Sequence, residues 1–235
     1  MKPMNAVTTI NPTFSVYKLI ERVHRETTLI KHRQTMTYIS NEIENTTILD
    51  GAQTVMFSGF QRMSKFCRQV KRYEKLARRA QAVYVFAHFD VEPPTLPDNV
   101  RFVALRPDDQ LVKEWFLVSM GVDYASALAT EELSHIDDPD HMRRFRGVWT
   151  FNHDMVAILH EWLLNEVGER THTTLPQESS RKQLYYVSQI IARMQDREMR
   201  LAEAGQTFLA GELRQLLSEQ LNQSLQELNR RALSR

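Results

Sequence analysis

A single cysteine, Cys67, stands among 235 residues. No intrachain disulfide can form, so packing alone must hold the fold, and the pattern of a small secreted scaffold is absent. Long hydrophobic runs are missing as well. The longest, such as Trp115 to Val118 and Ala82 to Ala87, fall far short of the roughly 20 apolar residues that span a bilayer. The first thirteen residues are polar, contain Pro3 and Pro12, and lack the apolar stretch of a secretory signal. Together these absences predict a cytoplasmic chain, and the glycosylation triplet Asn45-Thr46-Thr47 reads as chance. The seven glycines are scattered, which excludes a phosphate-cradling loop and a G-x-S-x-G nucleophile elbow. An excess of one charge is lacking too: 30 Lys and Arg face 29 Asp and Glu, a formal charge of +1. No global field draws the chain to nucleic acid or anionic lipid, although local faces of opposite sign can hide in such a balance.

Apolar residues make up 42% and charged residues 25% of the chain, as in ordinary globular proteins. The length fits one domain with an appendage. Helical spacing predicts helices over Val16 to Val23, Gln34 to Glu44 and Ser64 to Ala80, and over Asn152 to Asn165, where Met155, Ile158, Leu159 and Trp162 form the buried stripe. Strands are expected at 54–57, 82–87, 100–105, 115–120 and 145–151, and also at 124–130, where Ala125, Ala127, Leu128 and Ala129 would equally suit a helix. The fold class is α+β, a central mixed sheet of about five strands flanked by helices and followed by a C-terminal helical segment. Residues 1–34 form an N-terminal segment and helix, 35–168 the domain proper, and 181–235 a helical hairpin or coiled-coil segment behind the polar stretch 168–180. Leu213, Leu217, Leu221, Leu225 and Leu228 repeat at helical spacing. A stripe of this kind must be covered, either within the chain or by a protein partner or second copy.

Several short motifs recur in order: Gly59-Phe60-Gln61, Arg72-Tyr73, Val83 to Phe86, Glu114-Trp115, and Arg144 to Phe151 with Arg146, Gly147 and Trp149. Together they resemble the DICT sensory domain family, over roughly Thr35 to Leu164. The resemblance implies a sensory module without catalysis of its own, often attached to an output domain. No cyclase, histidine kinase or receiver pattern follows Asn165, so the resemblance implies reporting through contact with another protein. It carries no ligand residues and no cofactor with it.

His135, Asp137, Asp138, Asp140 and His141 crowd one loop, but a metal needs three or four donors converging at about 2 Å, and a solvated acidic loop is the simpler reading. His160-Glu161 opens like a zinc-protease helix, yet Leu164 stands where its second histidine belongs. His160 reads instead as a helix-surface or boundary residue, and no metal or catalytic residue is assigned. Cys67 between Lys65 and Arg68 could be activated by them, though an inert thiol is the default. The densest signal is basic: Arg62, Lys65, Arg68, Lys71, Arg72, Lys75, Arg78 and Arg79 share one stretch with only Glu74 against them. Lys65, Arg68, Lys71, Lys75, Arg78 and Arg79 are the candidate ligand or partner surface. Nucleic acid is disfavoured because no aromatic side chain interleaves with these charges on the polar arc. The leading expectation is a non-catalytic regulatory module acting through a protein partner, with room for a small-molecule ligand. The alternatives are an enzyme using the 135–141 loop and nucleic-acid binding through 62–79.

Overall fold

A computed structural model describes residues 10–23, 29–169 and 180–233. Helices α1 (Val16–Val23) and α2 (Arg33–Ile48) flank the short strand β1 (Leu29–His32). Strands β2 (Thr54–Arg62), β3 (Ala82–His88), β4 (Val100–Leu105), β5 (Glu114–Gly121), β6 (Ala125–Glu132) and β7 (Arg144–Thr150) follow. Between β2 and β3 lie α3 (Met63–Phe66) and α4 (Val70–Ala77); after β7 come α5 (His153–Glu166), α6 (Ser180–Glu203) and α7 (Thr207–Leu233). The strands make one mixed sheet in the order β1-β7-β6-β5-β2-β3-β4. β2, β3 and β4 run parallel, and every other neighbouring pair is antiparallel.

The sheet is apolar on both faces, so helices must cover both. On one face Met56, Val83, Val85, Leu117, Leu128 and Trp149 pack with residues of α2, α4, α6 and α7. On the other, Phe57, Tyr84, Phe86, Phe116, Val118 and the small row Ala125, Ala127 and Ala129 pack with α1 and α5. Close approach inside the sheet also constrains the sequence. A Cβ on Gly147 would collide with the Ala129 carbonyl oxygen and the Thr130 side chain, so no other residue fits that point of β7.

The α+β class stands, with seven strands where about five were expected. β1 escaped the sequence reading because four residues between two helices give no alternation to detect. By pairing Leu29↔Gly147 through His32↔Arg144 it ties the N-terminal segment into the sheet. The boundary expected at residue 35 therefore falls inside the packed unit. The single helix expected over Ser64 to Ala80 is broken: a 3-10 turn at Cys67–Gln69 separates α3 from α4. Asp90 holds the first piece, accepting from Ser64 N at 2.8 Å and Ser64 Oγ at 2.5 Å, while Phe66 is fixed edge-on against Phe60, Tyr73 and Phe102.

In α5 the N-cap is as expected, with Asn152 Oδ1 accepting from Met155 N at 3.1 Å. Its buried stripe is rotated. Val156, Ala157, Leu159, His160, Leu163 and Leu164 face the sheet, while Ile158 and Trp162 are 45% and 49% exposed. Trp162 stacks on Phe14 instead, centroids 6.4 Å apart, and His160, expected near the surface, is in the core edge-on to Phe57.

The leucine repeat is divided in the same way. Leu213 and Leu217 are buried in the core below α2, together with Tyr186, Ile190, Met194 and Leu216, while Leu221 is 41% exposed. Leu225 and Leu228 have side chains outside the described residues. The α6–α7 hairpin, turned at Gly205 in the left-handed region, thus packs in one core with the sheet and α2. As a helix-association surface, the first two leucines of the repeat are already occupied within the chain.

Two buried titrating groups give opposite pH dependences. Glu114 sits beneath the start of α1, accepting from Ser15 Oγ at 2.5 Å and Tyr17 N at 3.1 Å, and burial pushes its carboxyl from 4.5 up to about 7 against those hydrogen bonds. Its stabilisation is fully present below pH 4.5 and is lost as pH rises through 7. Burial alone lowers His160 from 6.5 to about 4; its stabilisation is fully present above pH 6.5 and is lost as pH falls through 4. Each is worth about 3 kcal/mol over its window. The parent chain should therefore show a shallow stability profile between pH 4.5 and 6.5. Glu114→Gln should become more stable with rising pH, and His160→Leu less stable. Urea denaturation across that range reads the slopes; parallel profiles for the three proteins would refute the assignment.

Candidate functional site

The β2–β5 ladder runs from Thr54↔Gly121 to Ser58↔Leu117 and stops there, although both strands continue, β2 to Arg62 and β5 back to Glu114. The β2–β3 register also shifts between Gly59 and Arg62. The sheet opens at the carboxyl end of β2, where the chain leaves towards β3 and β4 on one side and β5 to β7 on the other. Open α/β sheets bind ligands at such divergence points. Here the opening is a cavity of about 170 Å³, roofed by α2 and walled by residues of β2, β5, α3 and α4.

The walls are aromatic. Phe60 and Tyr73 lie edge to face at 5.5 Å, and Trp115 donates from Nε1 to Ser40 Oγ at 3.1 Å. At the inner end the Tyr73 hydroxyl lies 2.8 Å from Ser58 Oγ and 3.1 Å from Glu44 Oε1. Burial and the Glu44 charge push this phenol well above its usual range, so it stays a neutral donor. Glu44 is raised by burial in spite of the Arg72 guanidinium paired with it. Arg72 also donates to Asn41 O at 2.7 Å and Asn45 Oδ1 at 2.9 Å, locking α4 to α2.

At the outer end a second buried pair closes the site. Arg143 donates to Glu132 from Nε at 2.6 Å and from Nη2 at 2.7 Å, their side chains only 2% and 4% exposed. Burial acts to raise Glu132, but hydrogen bonds from Arg143, Gln61 and Ser134 and the Arg143 charge outweigh it, and its carboxyl is held below the usual range. Gln61 joins the pair, donating to Glu132 Oε2 at 2.8 Å and accepting from Arg143 Nη2 at 2.8 Å. To do so its backbone takes φ 57°, the left-handed region.

The resemblance-bearing residues divide accordingly. Gly59, Phe60, Gln61, Tyr73 and Trp115 line the cavity, and Arg72 holds its inner carboxylate. Arg146 pairs with Glu131 at 2.9 Å on the sheet, and Trp149 donates to Ser126 Oγ at 3.2 Å below the C-terminal helices. The residues of the basic stretch have different surroundings. Arg62 is paired with Asp137, Lys65 reaches the cavity, and Arg68, Lys71, Lys75, Arg78 and Arg79 are exposed without an ion pair among the described residues.

The loop carboxylates are spoken for. Asp137 holds Arg62, Asp140 holds Arg33 at 2.9 Å, and Asp138 accepts from His135 N at 2.8 Å. No group of three or more His, Cys, Asp or Glu among the described residues is placed to hold a metal ion. Cys67 is exposed on the 3-10 turn. Sequence reasoning missed Arg33, Glu44, Ser58, Glu132 and Arg143. Of these only Glu132 and Arg143 carry a local hint, opposite charges flanking the loop between two strands.

No helix among the described residues is long and apolar enough to cross a membrane. No curated protein matches the chain, and no solved structure does. A family model, DICT, described as a sensory domain in diguanylate cyclases and two-component systems, matches residues 13–133, spanning α1 to the end of β6 and most of the cavity wall. That match covers more than half of the chain, and the chain belongs to the DICT family of sensory domains.

Proposed function

We propose that the chain is a non-catalytic sensory module in which a small molecule in the cavity is the signal and the α6–α7 hairpin carries the response to a protein partner. One observation supports this above the rest: α2 serves both sites. Arg33, Thr37, Ser40, Asn41 and Glu44 line the cavity, while residues at and beside the same helix hold the hairpin. Glu212 of α7 accepts from Thr35 Oγ1 at 2.5 Å and meets His32 Nδ1 at 2.7 Å. Arg193 of α6 reaches Glu42 at 2.5 Å and Asp50 at 3.0 Å. A ligand that shifts α2 must strain or relax these contacts, and a packed interface answers by changing population between arrangements. Leu184, Tyr185, Met199, Phe208 and Leu221 are exposed on the hairpin, an apolar set suited to a protein contact.

A side chain placed in the cavity serves as a tethered ligand. Thr37→Phe should change amide hydrogen exchange along α6 and α7 several-fold while leaving the β3–β4 edge unaffected. A change confined to α2 and β2 would sink the transmission route.

A further inference from the structure

The cavity has a charged end and a neutral end. Arg33 and Thr37 from the first turns of α2, Lys65 from α3 and Arg143 before β7 gather at one end. Glu44, the Tyr73 hydroxyl and Ser58 stand at the other, towards the C-terminal end of α2. Glu44 is matched by Arg72 and Arg143 by Glu132. Lys65 is not matched: it makes no hydrogen bond or ion pair among the described residues. It is surrounded by Arg143, Arg68 and Arg33, against Asp140 and Asp137, and those two carboxylates are engaged by Arg33 and Arg62. Burial first, and then these three arginines, lower the pKa of its ammonium.

Donors at this end also lack acceptors. Arg33 uses Nη1 on Asp140 and lies over the Trp115 ring at 5.8 Å, yet its Nε is buried without a partner. An unpaired buried donor costs stability that an incoming acceptor restores. Beside these groups the walls are Phe60, Tyr73 and Trp115, and a cavity of about 150 Å³ is known to hold a benzene ring.

We propose that this cavity binds a single-ring aromatic carboxylate, its ring against Phe60, Tyr73 and Trp115 and its carboxylate received by Lys65 and Arg33 Nε. The assignment rests on the cavity being the sensory site and adds the class of molecule sensed. A ring with one carboxylate fills the aromatic wall and supplies the acceptor that Lys65 and Arg33 Nε lack, whereas a neutral ring leaves those two donors without one and a bare inorganic anion leaves the aromatic wall unfilled.

Calorimetric titration of the full chain with benzoate, benzamide and inorganic phosphate tests this. Benzoate should bind, with benzamide and phosphate weaker by about tenfold or more. Lys65→Met should lose a similar factor for benzoate, and Lys71→Met, an exposed lysine on α4, should lose none. Equal affinity for benzoate and benzamide would overturn the anion assignment while leaving the cavity as the sensory site. Tighter binding of phosphate than of benzoate would overturn the ring. Absence of benzoate binding at millimolar concentration would overturn the proposal outright, and if Thr37→Phe were also silent along α6 and α7, the sensory reading would fall with it.

Discussion

Replacing Arg143 with methionine should destabilise the chain by about 3–5 kcal/mol, because it strands the Glu132 carboxylate in the interior without its counter-ion. Four hydrogen bonds tie Arg143, Glu132 and Gln61 together, and the guanidinium also lies 5.3 Å from the Phe145 ring. Removing one charge is far costlier than removing both, since the penalty belongs to the unpaired partner. The double variant Arg143→Met, Glu132→Leu should thus recover most of the loss. Chemical denaturation of the two variants at neutral pH decides the matter. A single-variant loss below about 1 kcal/mol would mean that water reaches Glu132 and that the outer end of the cavity is not sealed by this pair.

Ending the chain at residue 168 should abolish cooperative unfolding. The C-terminal helices place Tyr186, Ile190, Met194, Leu213, Leu216 and Leu217 in the core below α2. Burial of one such side chain is worth about 1.5–3 kcal/mol, so the set is comparable with the entire stability of a domain, about 5–15 kcal/mol. In the full chain Leu213→Ala should cost about 2–5 kcal/mol. The readouts are near-ultraviolet circular dichroism and a denaturant titration of the 1–168 fragment. A sharp, native-like transition would show that the sheet with its first five helices is self-sufficient and that the hairpin is an accessory.

The polar stretch 168–180 suggested a boundary because composition reports solvent exposure of the connection, not what its two ends pack against. Leu213 and Leu217 were legible as a stripe needing cover, but a stripe does not say whether the cover comes from the same chain. α1 was legible to the residue because Val16, Tyr17 and Ile20 keep one period over one surface. The break at Cys67–Gln69 was not legible because the period runs on across it, and the tertiary contacts of Phe66 override helix propensity there. The cavity was half visible: Gly59, Phe60, Gln61, Tyr73 and Trp115 stood out as family-like motifs. Their partners Arg33, Glu44 and Arg143 come from distant elements and follow no local pattern, so only the assembled sheet brings them together.

The left-handed backbone at Gln61 sets a conflict at the mouth of the cavity. At φ 57° glycine would relieve the backbone, yet glycine has no side-chain amide to stand between a buried carboxylate and a buried guanidinium. Glutamine donates a hydrogen bond to one and accepts a hydrogen bond from the other, and neither a carboxylate nor an ammonium in its place could do both. Position 61 therefore accepts a local conformational penalty for a charge-bridging side chain. Gln61→Gly should relax the strand while unsettling the ion pair, so backbone order and cavity electrostatics at this point should move in opposite directions.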